Sequence, residues 1–153
     1  MFLVKLHAFC GALGLLLIGG FLLSTVGAEL SGSVAWVVAV KTWILHLIPV
    51  LVILLGCAGA AGNHIARGWK SKDVDWKRLR MAVAGFNGVF VLIPCAFTLQ
   101  AWAEAGEFTW RFYGVQGIEL LAGAGNIVLL SLNLRDGLRL KKLGKGKPAV
   151  RAS

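Results

Sequence analysis

Residues 43–66, WILHLIPVLVILLGCAGAAGNHIA, run for 24 positions without one Asp, Glu, Lys or Arg. A helix needs about 20 predominantly apolar residues to cross the hydrocarbon of a bilayer, and a buried helix of a small soluble domain is shorter. Working outward from this stretch, three others meet the same measure, at residues 2–26, 81–102 and 112–134. Together they occupy most of the 153 residues. With 58% hydrophobic residues and a mean hydropathy of +0.76, the chain has too little polar surface to cover a soluble core. The expected fold is all-α: an integral membrane four-helix up-down-up-down bundle over residues 1–143, because short connections force consecutive helices to lie antiparallel.

The net charge of +9 is explained by where the charges sit, and it does not point to nucleic acid. Arg67, Lys70, Lys72, Lys77, Arg78 and Arg80 fill the second connection. Arg135, Arg139, Lys141, Lys142, Lys145, Lys147 and Arg151 fill the C-terminal segment, so these two regions hold 13 of the 16 basic residues. Basic loops stay on the cytoplasmic side, so both termini are expected in the cytoplasm. The cations nearest the helix ends, Arg67 to Arg80 and Arg135 to Lys142, are expected to meet anionic lipid headgroups. Residues 144–153, basic and rich in Gly, are expected to be a flexible tail.

All six tryptophans lie near expected helix ends and none falls mid-span, as amphipathic rings seeking the headgroup layer do. Lys5, the apolar run after it and Val26-Gly27-Ala28 imitate a signal peptide, but the run is long for one and is expected to be retained. Cys10, Cys57 and Cys95 all fall in apolar segments, which argues against a disulfide scaffold. The apolar residues from Leu30 to Val40 allow either a short interfacial helix or an early start to the second helix. Pro49 and Pro94 each free a carbonyl one turn earlier, so kinks are expected in the second and third helices.

Polar groups at membrane depth are costly and therefore informative. At about 100° per residue, Gln116, Glu119, Gly123, Asn126 and Asn133 share one face of the fourth helix. Glu119 is the one acid inside the expected spans, and His46 lies at a similar depth, so a Glu119–His46 contact is the expected pairing. Asn87 falls level with Asn126. The cluster His46, Asn87, Gln116, Glu119, Asn126 and Asn133 is thus a candidate for inter-helix hydrogen bonding, or for handling a proton or ion at Glu119.

His7 and His64 are placed at matching depths on neighbouring helices, which allows a b-type haem between two imidazoles. Lys5-Leu6-His7 followed by an apolar span resembles the first helix of bacterial cytochromes b561. That family also takes haem ligands from its fourth helix, where this chain has no histidine. Phe112-Tyr113-x-Val115-Gln116-x-x-Glu119-Leu120 and Asn133-Leu134-Arg135-Asp136-Gly137-Leu138-Arg139 are similar to small four-helix inner-membrane proteins of proteobacteria, a resemblance that implies this topology, a bacterial origin with the chain in the inner membrane, and no reaction. No set of residues amounts to a catalytic or metal site. The leading expectation is a non-enzymatic accessory or assembly subunit, without cofactor, of an inner-membrane complex with a membrane protein partner. The alternative is a small electron-transfer protein using haem b or a quinone.

Overall fold

A computed structural model of the protein describes residues 2–67 and 72–145, with 72–74 and 138–145 as backbone alone. The described residues form α1 (Phe2–Ser31), α2 (Val34–Ile65), α3 (Lys72–Asn87), a π-helical turn (Gly88–Leu92), α4 (Ile93–Glu104) and α5 (Trp110–Lys145). Four helices among them are long and apolar enough to cross a membrane, the third being the continuous rod from Asp75 to Glu104.

The helices overrun the expected spans. α1 continues past residue 26 to Ser31, and α2 begins at Val34 instead of residue 43. The apolar run before Lys41 is therefore the first part of α2 and not a separate interfacial helix. Only Gly32 and Ser33 separate the two rods. Gly32 has φ +65°, a backbone conformation open to glycine at no steric cost, and the Ser33 hydroxyl accepts from the Trp36 N–H at 3.4 Å to cap α2. The ends of membrane helices do not coincide with the ends of apolar runs when good helix formers follow and a charged side chain finds a partner inside. Lys41, paired with Glu119 of α5, is drawn into α2 in this way.

α4 stops by a different device. Gly106 has φ +71°, its N–H donates to the Ala103 carbonyl and the Glu107 N–H reaches back to Trp102 at 2.8 Å. These two bonds make a Schellman motif, which satisfies carbonyls that the helix end would leave bare.

In the third rod, Pro94 has no N–H to give to Phe90, and its ring crowds that carbonyl. The distortion is taken up just before it, where the chain widens into the π turn and the Ile93 N–H donates to Gly88 five residues back. α2, by contrast, runs through Pro49 as one α-helix. α5 extends two residues into the segment expected to be a tail, and residues 146–153 lie outside the described residues.

Two apolar cores tie the rods together. One joins the end of α1 to the start of α2, the end of α4 and the start of α5, through Ala28, Val37, Val40, Ile44, Leu99, Ala103 and Phe112. The other joins Ile18 of α1, Ala84 of α3 and Leu130 of α5. α1 packs along α2 and also against α5, and α3 and α4 both pack on α5. On the remaining side α2 meets α4 but makes no comparable packing with α3. The bundle is closed on three sides and parted along half of the fourth.

Candidate functional site: a buried ion pair at one end of an apolar cavity

Along the first three turns of α2, Val37, Val40, Lys41 and Ile44 are the buried positions, the i, i+3, i+4, i+7 stripe of a core-facing helix. Lys41 is thus held in the stripe with only 2% of its surface exposed. Its ammonium donates to Glu119 Oε2 of α5 at 2.5 Å. The same carboxylate oxygen accepts from Gln116 Nε2, one turn earlier on α5, at 2.9 Å. Gln116 is itself 4% exposed. Glu29, near the end of α1, lies within electrostatic reach of both Lys41 and Glu119.

This arrangement corrects the expected Glu119–His46 contact. His46 is five residues beyond Lys41, about 140° around α2, and so leaves the core-facing stripe. It is exposed, and its Nδ1 is 2.7 Å from the Thr42 carbonyl of its own helix. It belongs to no polar cluster with Glu119. The stripe itself pointed to Lys41, since an α2 beginning at Val34 puts this lysine among three apolar core positions. Glu29 carried no comparable signal.

The rest of the α5 stripe faces inward. Asn126, 2% exposed, accepts from Asn87 Nδ2 at 2.9 Å and donates to the Ala84 carbonyl at 3.2 Å. Asn87 Nδ2 also donates to the Ala122 carbonyl at 2.9 Å. These three bonds stitch α3 to α5 immediately before the π turn. Further along, buried Asn133 makes a long 3.5 Å contact to the Lys77 carbonyl. Arg80 pairs with Asp136 at 2.7 Å, so this cation is engaged within the protein. Arg78 donates to the Ala66 carbonyl at 2.9 Å, while Arg67 and Arg135 are exposed. Lys70 lies outside the described residues, and the side chains of Lys72, Arg139, Lys141 and Lys142 lie outside the described part of the structure.

His7 and His64 are not brought together. The His7 ring lies against Gly62, 2.9 Å from where a Cβ would stand, and its Nδ1 is 2.7 Å from the Ala58 carbonyl. Ala58, Ala61 and Gly62 form the face of α2 that meets α1, and His64, two residues further, lies about 200° around the helix and is exposed. Among the described residues no group of three or more His, Cys, Asp or Glu side chains could hold a metal ion. Cys10, Cys57 and Cys95 are unpaired thiols.

Between the helices lies a cavity of about 460 Å³, within the range of sites that hold small molecules. Glu119 forms part of its wall near one end, Asn126 lies further along, and the rest is almost wholly apolar. Along α5 its lining runs from Glu119 to Leu130, about 16 Å at 1.5 Å per residue. The lining residues that are exposed are Val52 and Gly56 of α2, Ala82 and Gly85 of α3, and Val89 of the π turn. Every one borders the parting between α2 and α3. The cavity therefore opens sideways, through the flank that faces lipid in a membrane. A Cβ added at Gly56 or Gly85 would meet nothing within 4 Å, so these glycines keep the opening wide.

Comparison with protein-family models, curated proteins and solved structures gives no match in any of the three.

Proposed function

We propose that this is a non-enzymatic protein of the bacterial inner membrane that holds one apolar-tailed molecule between its helices, as an accessory or assembly subunit of a larger membrane complex. The helices alternate in direction and both termini are cytoplasmic, in keeping with the 13 basic residues of the second connection and C-terminal segment. The side-opening cavity supports the holding role. A closed apolar void serves packing poorly, because its lining forgoes dispersion contacts. A slot open to lipid, about 16 Å long by the helix rise, admits a chain from the bilayer without bringing it through water. The buried polar cluster at one end gives such a molecule a fixed register, as the few polar groups of a mostly apolar site do.

The test is purification at natural expression levels into lipid nanodiscs, followed by mass spectrometry of extracted lipids and of co-purifying polypeptides. One tailed species retained close to one per chain is expected, and it should be lost when Gly123, buried in the cavity wall, is changed to Leu. At least one unrelated membrane polypeptide is expected in the same fraction. A chain recovered alone, with lipids in the proportions of the surrounding bilayer, would defeat both parts of the reading.

A further inference from the structure

The polar end of the cavity is unbalanced in its hydrogen bonding. With both carboxylates ionised, Glu29, Glu119 and the Gln116 carbonyl bring five oxygens with about ten lone-pair sites, whereas Lys41 and Gln116 bring about five N–H donors and Thr25, buried in the cavity wall, one O–H. The imbalance is visible in the buried atoms, since Glu29 Oε1 and Gln116 Oε1 have no hydrogen-bond partner among the described residues. Gln116 cannot turn its amide to relieve this, because its Nε2 is held by the Glu119 carboxylate. Lys41 makes one hydrogen bond, to Glu119, and among the described residues forms no ion pair with Glu29, so Glu29 Oε1 and Gln116 Oε1 stay without a donor. Glu119 Oε1 likewise accepts no hydrogen bond among the described residues, and it belongs to the only carboxylate among the described residues of the cavity wall.

Resting on the ligand-holding reading above, we infer that the cavity takes a molecule whose polar head donates a hydrogen bond, a hydroxyl on a long apolar chain, with Glu119 Oε1 as its acceptor. An acceptor-only head, such as an ether or a quinone carbonyl, adds to the surplus of lone pairs. An ammonium head would bring a charge through apolar walls at considerable cost. A hydroxyl supplies the missing donor and crosses hydrocarbon cheaply. Aliphatic or isoprenoid alcohols and hydroquinones share this chemistry.

The experiment uses four probes on the full chain in detergent: 1-dodecanol, its methyl ether, a decyl hydroquinone and the corresponding quinone. Apparent affinity is read from the rise in unfolding temperature with probe concentration. The alcohol is expected to bind at least about tenfold more tightly than the ether, and the hydroquinone than the quinone, since a hydrogen bond to a charged acceptor is at stake. The tighter of the two donor probes identifies the source. In the double variant Lys41→Met, Glu119→Leu, alcohol and ether should bind alike. Equal binding of alcohol and ether to the wild-type chain overturns the donor-head inference and leaves the cavity reading standing. Binding of none of the four overturns both. The wild-type comparison decides the matter even if the double variant does not fold.

Discussion

Lys41 Nζ stands 2.5 Å from Glu119 Oε2, joining residues 78 apart in sequence through a core in which the lysine is 2% exposed. Desolvating two charges offsets much of their attraction, so such a pair adds little net stability over apolar residues, whereas removing one partner strands the other. Lys41→Met should therefore destabilise the fold by about 3–5 kcal/mol, and Glu119→Leu by a similar amount. The double variant should recover most of that loss. Unfolding in mixed micelles of rising denaturing-detergent content measures all three. A double variant as unstable as the sum of the singles would show that the two side chains act independently.

The Asn87–Asn126 connection is neutral and smaller in effect. Asn126→Leu removes the acceptor for Asn87 and the donor to Ala84, and inter-helix hydrogen bonds in membranes average about 0.6 kcal/mol with a maximum near 1.7. A loss of about 1–2 kcal/mol is expected in the same micelle assay. Asn87→Ala in the Asn126→Leu background should add less than it does alone, because the shared bond is already gone.

Glycines of α2 that look alike in sequence differ sharply in what they touch. A Cβ at Gly62 would stand 2.9 Å from the His7 ring, whereas one at Gly59 meets nothing within 4 Å. Gly62→Ala should push the imidazole off the Ala58 carbonyl and destabilise the α1–α2 contact, with His7→Ala relieving it. Gly59→Ala should be neutral or stabilising by about 0.4–1 kcal/mol, through the reduced freedom of the unfolded chain. Thermal unfolding of Gly62→Ala, of Gly62→Ala combined with His7→Ala, and of Gly59→Ala checks the contrast.

What the sequence revealed of this fold follows from what a bilayer demands. Uncharged runs longer than a membrane is thick had to be helices, and the inward stripe from Gln116 to Asn133 emerged from the 3.6-residue period alone. Helix ends were less legible. Ending a span at its first charge placed Lys41 in a loop, when it is a core residue stabilised by a carboxylate on another helix. His46, more conspicuous as a polar residue in an apolar run, is satisfied locally by Thr42. The cavity was not readable at all, because it arises where α2 and α3 fail to meet, and pairwise helix contacts have no signature in one helix's periodicity. Gly56 and Gly85 lie in apolar helices as the closely packed Gly62 does, yet both are exposed at the opening.

The sidedness of the chain rests on charge alone and yields a direct outcome. Lys and Arg are retained on the cytoplasmic side during insertion, and the bias counts most strongly in short loops next to helix ends. The second connection and the C-terminal segment carry 13 basic residues between them, whereas the turns at Gly32 and Gly106 have Glu29, Glu104 and Glu107 beside them. A cysteine placed between Ser71 and Asp75, or at Ser153, in a background with Cys10, Cys57 and Cys95 changed to Ala, should be protected from an impermeant thiol reagent in intact spheroplasts and labelled after lysis. Cysteines at Gly32 and Gly106 should be labelled in both. Moving the bias tests its cause: Arg67, Lys70, Lys77 and Arg78 changed together to Gln should raise the fraction of chains labelled at Ser71 in intact spheroplasts. Ser71 labelling in the unaltered charge background would reverse the assignment and put the parted flank of α2 and α3 nearer the other leaflet.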